Sequence, residues 1–274
     1  MKAGQGVEPP VSDDPGAPGW PHASRGSPRA TRGAAVAMIS ETLRGARALC
    51  GWFIGAPFFS LRVLTQTTTR KEAQVLLERR ARQACEAWGL KVEVSGEPPP
   101  PGAGCVVTYN ETSLADTFAL HAVLWQAIDR GSGADVFGMV PLAKPAFRRL
   151  GLALVPRGNR AGTDRVLAEM VEAVKAGERV GWGAEGRFAG RGEVGRFKVG
   201  ASLIAIRAQA PLVPVAFRGG HAAMHHGSLR ARAGTVRVRY GAPIPTTGLT
   251  EDDARTLADR AQAIVTEMYA ALAM

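Results

Sequence analysis

Two carboxylates, Glu111 and Asp116, stand five positions apart in Y-N-E-T-S-L-A-D-T-F, Tyr109–Phe118. A short apolar run, Cys105–Thr108, ends just before them and a helical pattern begins just after. Both therefore sit at the mouth of a strand-to-helix turn. An ionised carboxylate within hydrogen-bond reach of a hydroxyl can take its proton as a general base. Free in water a glutamate titrates near about 4.3, against about 6.5 for histidine, so it is the weaker base unless its surroundings raise it. A second carboxylate close by does raise it, because two such groups resist joint ionisation and one keeps a proton.

The elements that must hold this pair follow from periodicity. Arg70–Trp88 reads as a charged amphipathic helix, followed by the alternating strand L-K-V-E-V-S and a turn at E-P-P-P-P-G. Helical patterns follow at Leu114–Ile128, Thr163–Ala176, Phe197–Gln209 and Glu251–Leu272. Between them, strand patterns fall at Ala134–Met139, Leu152–Val155, Arg179–Trp182, Pro211–Phe217 and Thr235–Tyr240. Strands separated by helices imply an α/β fold, a central mostly parallel or mixed sheet flanked by helices. Sites in such sheets gather beyond the carboxyl ends of the strands.

Upstream, residues 1–33 are rich in Pro, Gly, Ser and Ala without apolar period and read as a disordered tail. No uncharged apolar core follows Lys2, so a secretory signal is not expected. Residues 34–88 read as a helical, membrane-associating segment preceding the α/β domain at 89–274. Within it, A-L-C-G-W-F-I-G-A-P-F-F-S-L, Ala48–Leu61, is uncharged and aromatic-rich. It is shorter than the roughly 20 residues of a spanning helix. Two readings stay open: an interfacial anchor placing Trp52, Phe53, Phe58 and Phe59 at the acyl boundary, or a buried helix pair. A net charge of +10, mostly arginine, calls for an anionic partner. Nucleic acid would rest on that charge alone, through Arg230, Arg232, Arg237 and Arg239, with no recognised module, so none is expected. Cys50, Cys85 and Cys105 are too far apart for a zinc set or a disulfide framework. No metal and no bound cofactor is expected.

Four segments in order carry a resemblance: N-E-T-S-L-A-D (Asn110–Asp116), G-L-A-L-V-P-R (Gly151–Arg157), A-E-G-R-F-A-G-R-G-E-V-G-R-F-K-V-G-A (Ala184–Ala201) and P-L-V-P-V (Pro211–Val215). Together they resemble the glycerophospholipid acyltransferases, the family of bacterial 1-acylglycerol-3-phosphate acyltransferase. That family's first motif is N-H-x-S-x-x-D. Asn110, Ser113 and Asp116 match it, with Glu111 in the place of the histidine. Gly151 and Arg157 match the second motif, G-x-x-F-I-D-R, with Pro156 for its acid. Glu185 and Gly186 match the third, F-P-E-G-T-R, where Ala184 replaces proline and Arg187 and Phe188 replace Thr-Arg. Phe197, Lys198, Gly200 and Ala201 fall in step with F-K-x-G-A, and Pro214 fits the fourth motif.

The resemblance implies transfer of an acyl chain from acyl-CoA or acyl carrier protein to the hydroxyl of a lysophospholipid-like acceptor. Glu111 and Asp116 then become the catalytic candidates. Arg157 and Arg187, with Lys198 nearby, would hold the acceptor's phosphate. Asn110, Ser113, Glu185 and Gly186 would line the substrate, Glu185 orienting an arginine or the glycerol backbone. Such an enzyme would sit peripherally on anionic lipid at the cytoplasmic face of the membrane. Three readings of the motif change stay open. Glu111 is a desolvated, weaker base; or the site has lost transfer and is a catalytically silent binder of lipid or a partner protein; or another group supplies the base, with His221, His225 and His226 after the Pro211–Phe217 strand as candidates, or the natural reaction differs from the family's. His121 reads as a helix-face residue.

Overall fold

The computed structural model describes residues 28–273 apart from Phe188, Ala189, Arg191 and His226. Of the tail expected over 1–33, residues 1–27 lie outside the described residues, and 28–33 are the first turns of helix α1 (Pro28–Phe53). A bend of 41° leads into α2 (Ala56–Gln66), with Pro57 in its first turn, where a missing N–H costs nothing.

Helix α3 (Arg70–Trp88) matches the sequence expectation to the residue. Thr69 caps it in a box with Glu72, and Gly89, at φ 79°, ends it in the left-handed conformation that glycine adopts without strain. Its buried stripe Ala73, Leu77, Ala81 and Cys85 recurs every fourth residue and leads to Trp88, which is fully buried. Although α3 lies inside the 34–88 segment, it packs into the same core as the sheet, and Met38–Met274 form one compact unit.

Seven strands form one sheet in the order β1-β7-β6-β2-β5-β3-β4: β1 (Leu90–Ser95), β2 (Cys105–Tyr109), β3 (Arg130–Ala134), β4 (Leu152–Val155), β5 (Arg179–Gly183), β6 (Leu212–Arg218) and β7 (Gly234–Tyr240). Strands β2 to β6 run parallel to one another, while β7 runs antiparallel to β6 and carries β1 parallel to itself. The sheet is thus mixed and mostly parallel. Central β2, C-V-V-T-Y, is buried along its whole length, as a strand covered on both faces must be.

Its side chains alternate between two cores. Val107 and Tyr109 meet α3 and α4 (Leu114–Val123) through Trp88 and Phe118. Val106 faces α6 (Arg160–Lys175), α7 (Gly200–Ala208) and α9 (Ala254–Ala271) through Met170, Ile204 and Val265. Two shorter helices, α5 (Ala143–Leu150) and α8 (Gly220–Ala223), complete the order.

One expected strand was misplaced. Ala134–Met139 is not a strand: β3 is the preceding R-G-S-G-A, and Asp135–Met139 is a 3-10 turn. β3 has no apolar alternation because its glycine makes room for neighbours. A Cβ on Gly131 would come 3.0 Å from the Leu152 side chain. The helix expected to Ile128 ends at Val123, with a 3-10 turn after it at Leu124–Gln126.

Candidate active site

Parallel strands β2, β4, β5 and β6 end on the same edge of the sheet. Residues 110–116, Arg157, 185–187 and 219–221 all follow those ends. The motif segments therefore converge although they are far apart in sequence.

Asn110 leaves β2 and is fully buried. Its Nδ2 donates to Phe217 O at 3.0 Å and its Oδ1 accepts from Phe217 N at 2.8 Å, pinning the β2 turn to β6. Ser113 is the N-cap of α4, its hydroxyl accepting from Ala115 N at 3.1 Å. The resemblance placed both residues on the substrate. Here both are buried and their polar groups shape the turn.

Asp116 completes the capping box. Its Oδ2 accepts from Thr112 N (2.8 Å), Thr112 Oγ1 (2.7 Å) and Ser113 N (3.0 Å). Its buried Oδ1 has no aligned donor, although the Gly220 N–H lies close enough to favour the charged form. A Cβ on Gly220 would fall 1.9 Å from that oxygen, so only glycine fits there. Burial pushes Asp116 up to about 6 against the pull of the Thr112 and Ser113 hydrogen bonds.

Glu111 lies over Gly183, where a Cβ would come 2.9 Å from Oε2. Burial first, then the charges of Asp116 and Glu185, push Glu111 up to about 7. Glu185 is 5% exposed and is likewise raised to about 7 by burial, despite accepting from Gly195 N at 3.1 Å. Its Oε2 has no aligned partner, and among the described residues it forms no salt bridge, so the arginine it was expected to orient does not fix it. Burial and Glu111 also raise the Tyr109 hydroxyl. The floor of the site is thus three mutually coupled carboxylates, poised to hold or release protons near neutrality.

A basic rim surrounds this floor. Exposed Arg157 donates from its backbone N to Asp135 Oδ2 at 3.2 Å and from its guanidinium to Gly186 O at 3.4 Å. Gly186 adopts φ 66°, and Lys198 crosses it so closely that a Cβ there would sit 3.0 Å from Nζ. Lys198 N donates to Ala184 O at 2.8 Å. Arg187 and Lys198 line a cleft with Glu185, Phe197 and Arg255. The three cations chosen from the motifs therefore gather about one turn, Glu185–Arg187.

Thr112, Gly183 and Gly220 escaped the sequence reading. Only Gly220 carried a usable signal, a Gly-Gly pair directly after a strand. His221 follows it, with Nε2 2.9 Å from His225 Nδ1, Nδ1 unpartnered and its ring against Gly192. His226 lies outside the described residues. His121 is stacked between Trp52 and Trp125, and burial pushes it down to about 4. Arg230 and Arg232 pair with Glu41, and Arg237 with Glu93, so part of the basic surface is neutralised locally. Among the described residues no group of three His, Cys, Asp or Glu is placed to hold a metal ion.

Residues 91–218 match the family described as Acyltransferase. The chain is 29% identical over 185 residues to the human (Homo sapiens) 1-acyl-sn-glycerol-3-phosphate acyltransferase alpha, covering 63% of this chain and 62% of that protein. To the human beta enzyme it is 28% identical over 156 residues, covering 57% and 56% respectively. It therefore spans less than two thirds of the length of these relatives. The crystal structure of the 1-acyl-sn-glycerophosphate (LPA) acyltransferase PlsC from Thermotoga maritima superposes with a TM-score of 0.68 at 21% identity, over 87% of this chain and 97% of that one. That likeness shows a common fold.

Proposed function

We propose that this chain, whose residues 91–218 match the acyltransferase family, carries out a glycerolipid acyl transfer in which Glu111 is the base. The acyl group comes from a thioester, acyl-CoA or acyl carrier protein, and goes to the hydroxyl of a lysophospholipid-like acceptor. One observation carries this reading. Glu111 lies at the carboxyl end of the central strand with its carboxyl pushed up to about 7, where a carboxylate is an effective base at neutral pH. It takes the proton as the hydroxyl oxygen attacks the thioester carbonyl. The C–S bond then breaks, and the departing thiolate receives the proton. Asp116, locked by Thr112 and Ser113, keeps Glu111 basic. Arg157, Arg187 and Lys198 hold the acceptor's phosphate.

The same reading seats the chain peripherally on anionic lipid, on the cytoplasmic face. Helices α1 and α2 and the turn between them expose Phe53, Ile54, Phe58 and Leu61, and no Asp or Glu occurs from residue 42 to 71. No single described helix is long and apolar enough to cross a membrane.

Labelled acyl transfer by the purified protein across lysolipids and both donor types tests the proposal. Glu111→Gln should abolish turnover while lipid affinity persists. Glu111→His, beside the Asp116 already present, should sustain or raise it. The silent, lipid-binding alternative is favoured by the commitment of Asp116 Oδ2 to the helix cap. It wins if the wild type and a folded Glu111→His are both inert.

A further inference from the structure

We infer that the turn between β3 and α5, residues 135–142, is a second membrane-contact element that seats the mouth of the site on an anionic bilayer. The turn follows the carboxyl end of β3, on the same edge of the sheet as the catalytic carboxylates, and Asp135 accepts the Arg157 backbone N–H at 3.2 Å. Its apolar side chains point outward. Met139 is 82% exposed, Val136 54% and Leu142 46%.

This exposure is built in. Leu142 sits at φ 64°, a backbone conformation unfavourable for a residue with a Cβ. Gly138 packs so tightly that a Cβ would come 2.8 Å from the Leu154 side chain and 3.2 Å from Cε of Lys144. A turn clamped this firmly to β4, yet presenting methionine, valine and leucine to the outside, is not a loose loop.

Charge identifies the occupant. From Val136 to Thr163 the chain has no Asp or Glu, while Lys144 and Arg148 are exposed on α5 immediately after the turn. The Lys144 stem lies along the turn, the arrangement that lets an ammonium group reach headgroups while its methylenes stay apolar. Helix α5 packs on α2, and Arg149 donates to Thr67 O at the end of α2. The turn therefore adjoins a second acid-free segment, which exposes Phe58 at 71% and Leu61 at 48%. Apolar tips flanked by Lys144 and Arg148, with the turn's one acid, Asp135, held at its base by the Arg157 backbone N–H, match an anionic lipid surface. The inference does not depend on which acyl acceptor is used.

The test places a tryptophan at the tip. Full-length Met139→Trp and wild type are mixed with phosphatidylglycerol–phosphatidylcholine vesicles carrying ordinary or brominated acyl chains. The added tryptophan should be quenched by the brominated chains, beyond the quenching of the five native ones. In sedimentation, Val136→Asp/Met139→Asp should lower vesicle partitioning by about tenfold or more. Val94→Asp, at an exposed apolar residue on β1, should change it by no more than about twofold. An added tryptophan equally bright in both vesicles overturns the inference. So does a double variant that is folded by circular dichroism and partitions like wild type, or a wild type that does not sediment with vesicles.

Discussion

The two ends of β5 treat charge in opposite ways. At its start Arg179 is 3% exposed, and its guanidinium is almost fully engaged: Nε and one terminal nitrogen donate to Asp129 at 3.0 and 2.8 Å, the other to Pro99 O at 2.9 Å and Gln126 O at 2.8 Å. Burial alone would raise Asp129, but the hydrogen bonds and charge of Arg179 outweigh it and hold the carboxyl below its usual range. Past the other end lie Glu111, Asp116 and Glu185, all raised, with two oxygens lacking an aligned donor. A buried charge that is met marks architecture. Carboxylates left costly to ionise, Asp116 and Glu185 buried and Glu111 half-buried, mark a candidate site.

The sharpest break of this contrast is Arg179→Met. Removing Arg179 leaves a half-buried Asp129 and two backbone carbonyls without their donor and should lower stability by about 2–3 kcal/mol in urea unfolding. Because the folded pKa of Asp129 is depressed, the pair's contribution is present above the unfolded value near about 3.9. It is lost as pH falls through the lower folded value, so the deficit should shrink in strong acid. An equal unfolding midpoint for variant and wild type at pH 7 would dissolve the distinction between the two ends.

Gly220→Ala probes the other end. A methyl group 1.9 Å from Asp116 Oδ1 must displace the carboxylate or the backbone, so stability should fall by about 1–3 kcal/mol and turnover with it. Gly234→Ala, with open space around its Cα, is the control and should leave activity unchanged.

The sign of the pH dependence should also differ between the ends. A carboxyl whose folded pKa is raised favours folding least when both states are ionised. Its penalty is absent below the unfolded value near about 4.3 and grows as pH rises through about 7. Glu111→Gln should therefore match wild-type stability near pH 4 and exceed it by about 1–3 kcal/mol at pH 8. Equal stabilities at pH 8 would show that Glu111 is well solvated.

The smallest effect belongs to the rim. Arg157→Ala should weaken lysophosphatidate binding by about tenfold in titration calorimetry, with unfolding unchanged within about 0.5 kcal/mol. Unchanged affinity with the fold intact would remove Arg157 from the site.

Local patterns carried much of this molecule. The stripe of α3 and the apolar run of β2 were legible because each depends on residues within a few turns of one another, and the motif order was legible through its family resemblance. The R-G-S-G-A strand was not, since its neighbours Leu152 and Ile128 supply the apolar surface its glycines lack. Nor were the bonds that Asn110 and Ser113 make in the fold. The Asn110 amide meets the backbone of Phe217, 107 positions away, and no local pattern announces such a bond.

By itself, the sequence determined which residue types stand at the mouth of the β2 turn, with Glu111 between Asn110 and Thr112, and that cations recur in the later segments. Only the tertiary structure decided how those groups ionise. Burial, the first cause of the Glu111 shift, comes where the turn packs on Gly183 at the end of β5, and the charge of Glu185 arrives from 74 positions downstream. Side-chain identity is a property of one position, but desolvation and Coulomb coupling belong to whatever the fold sets beside it.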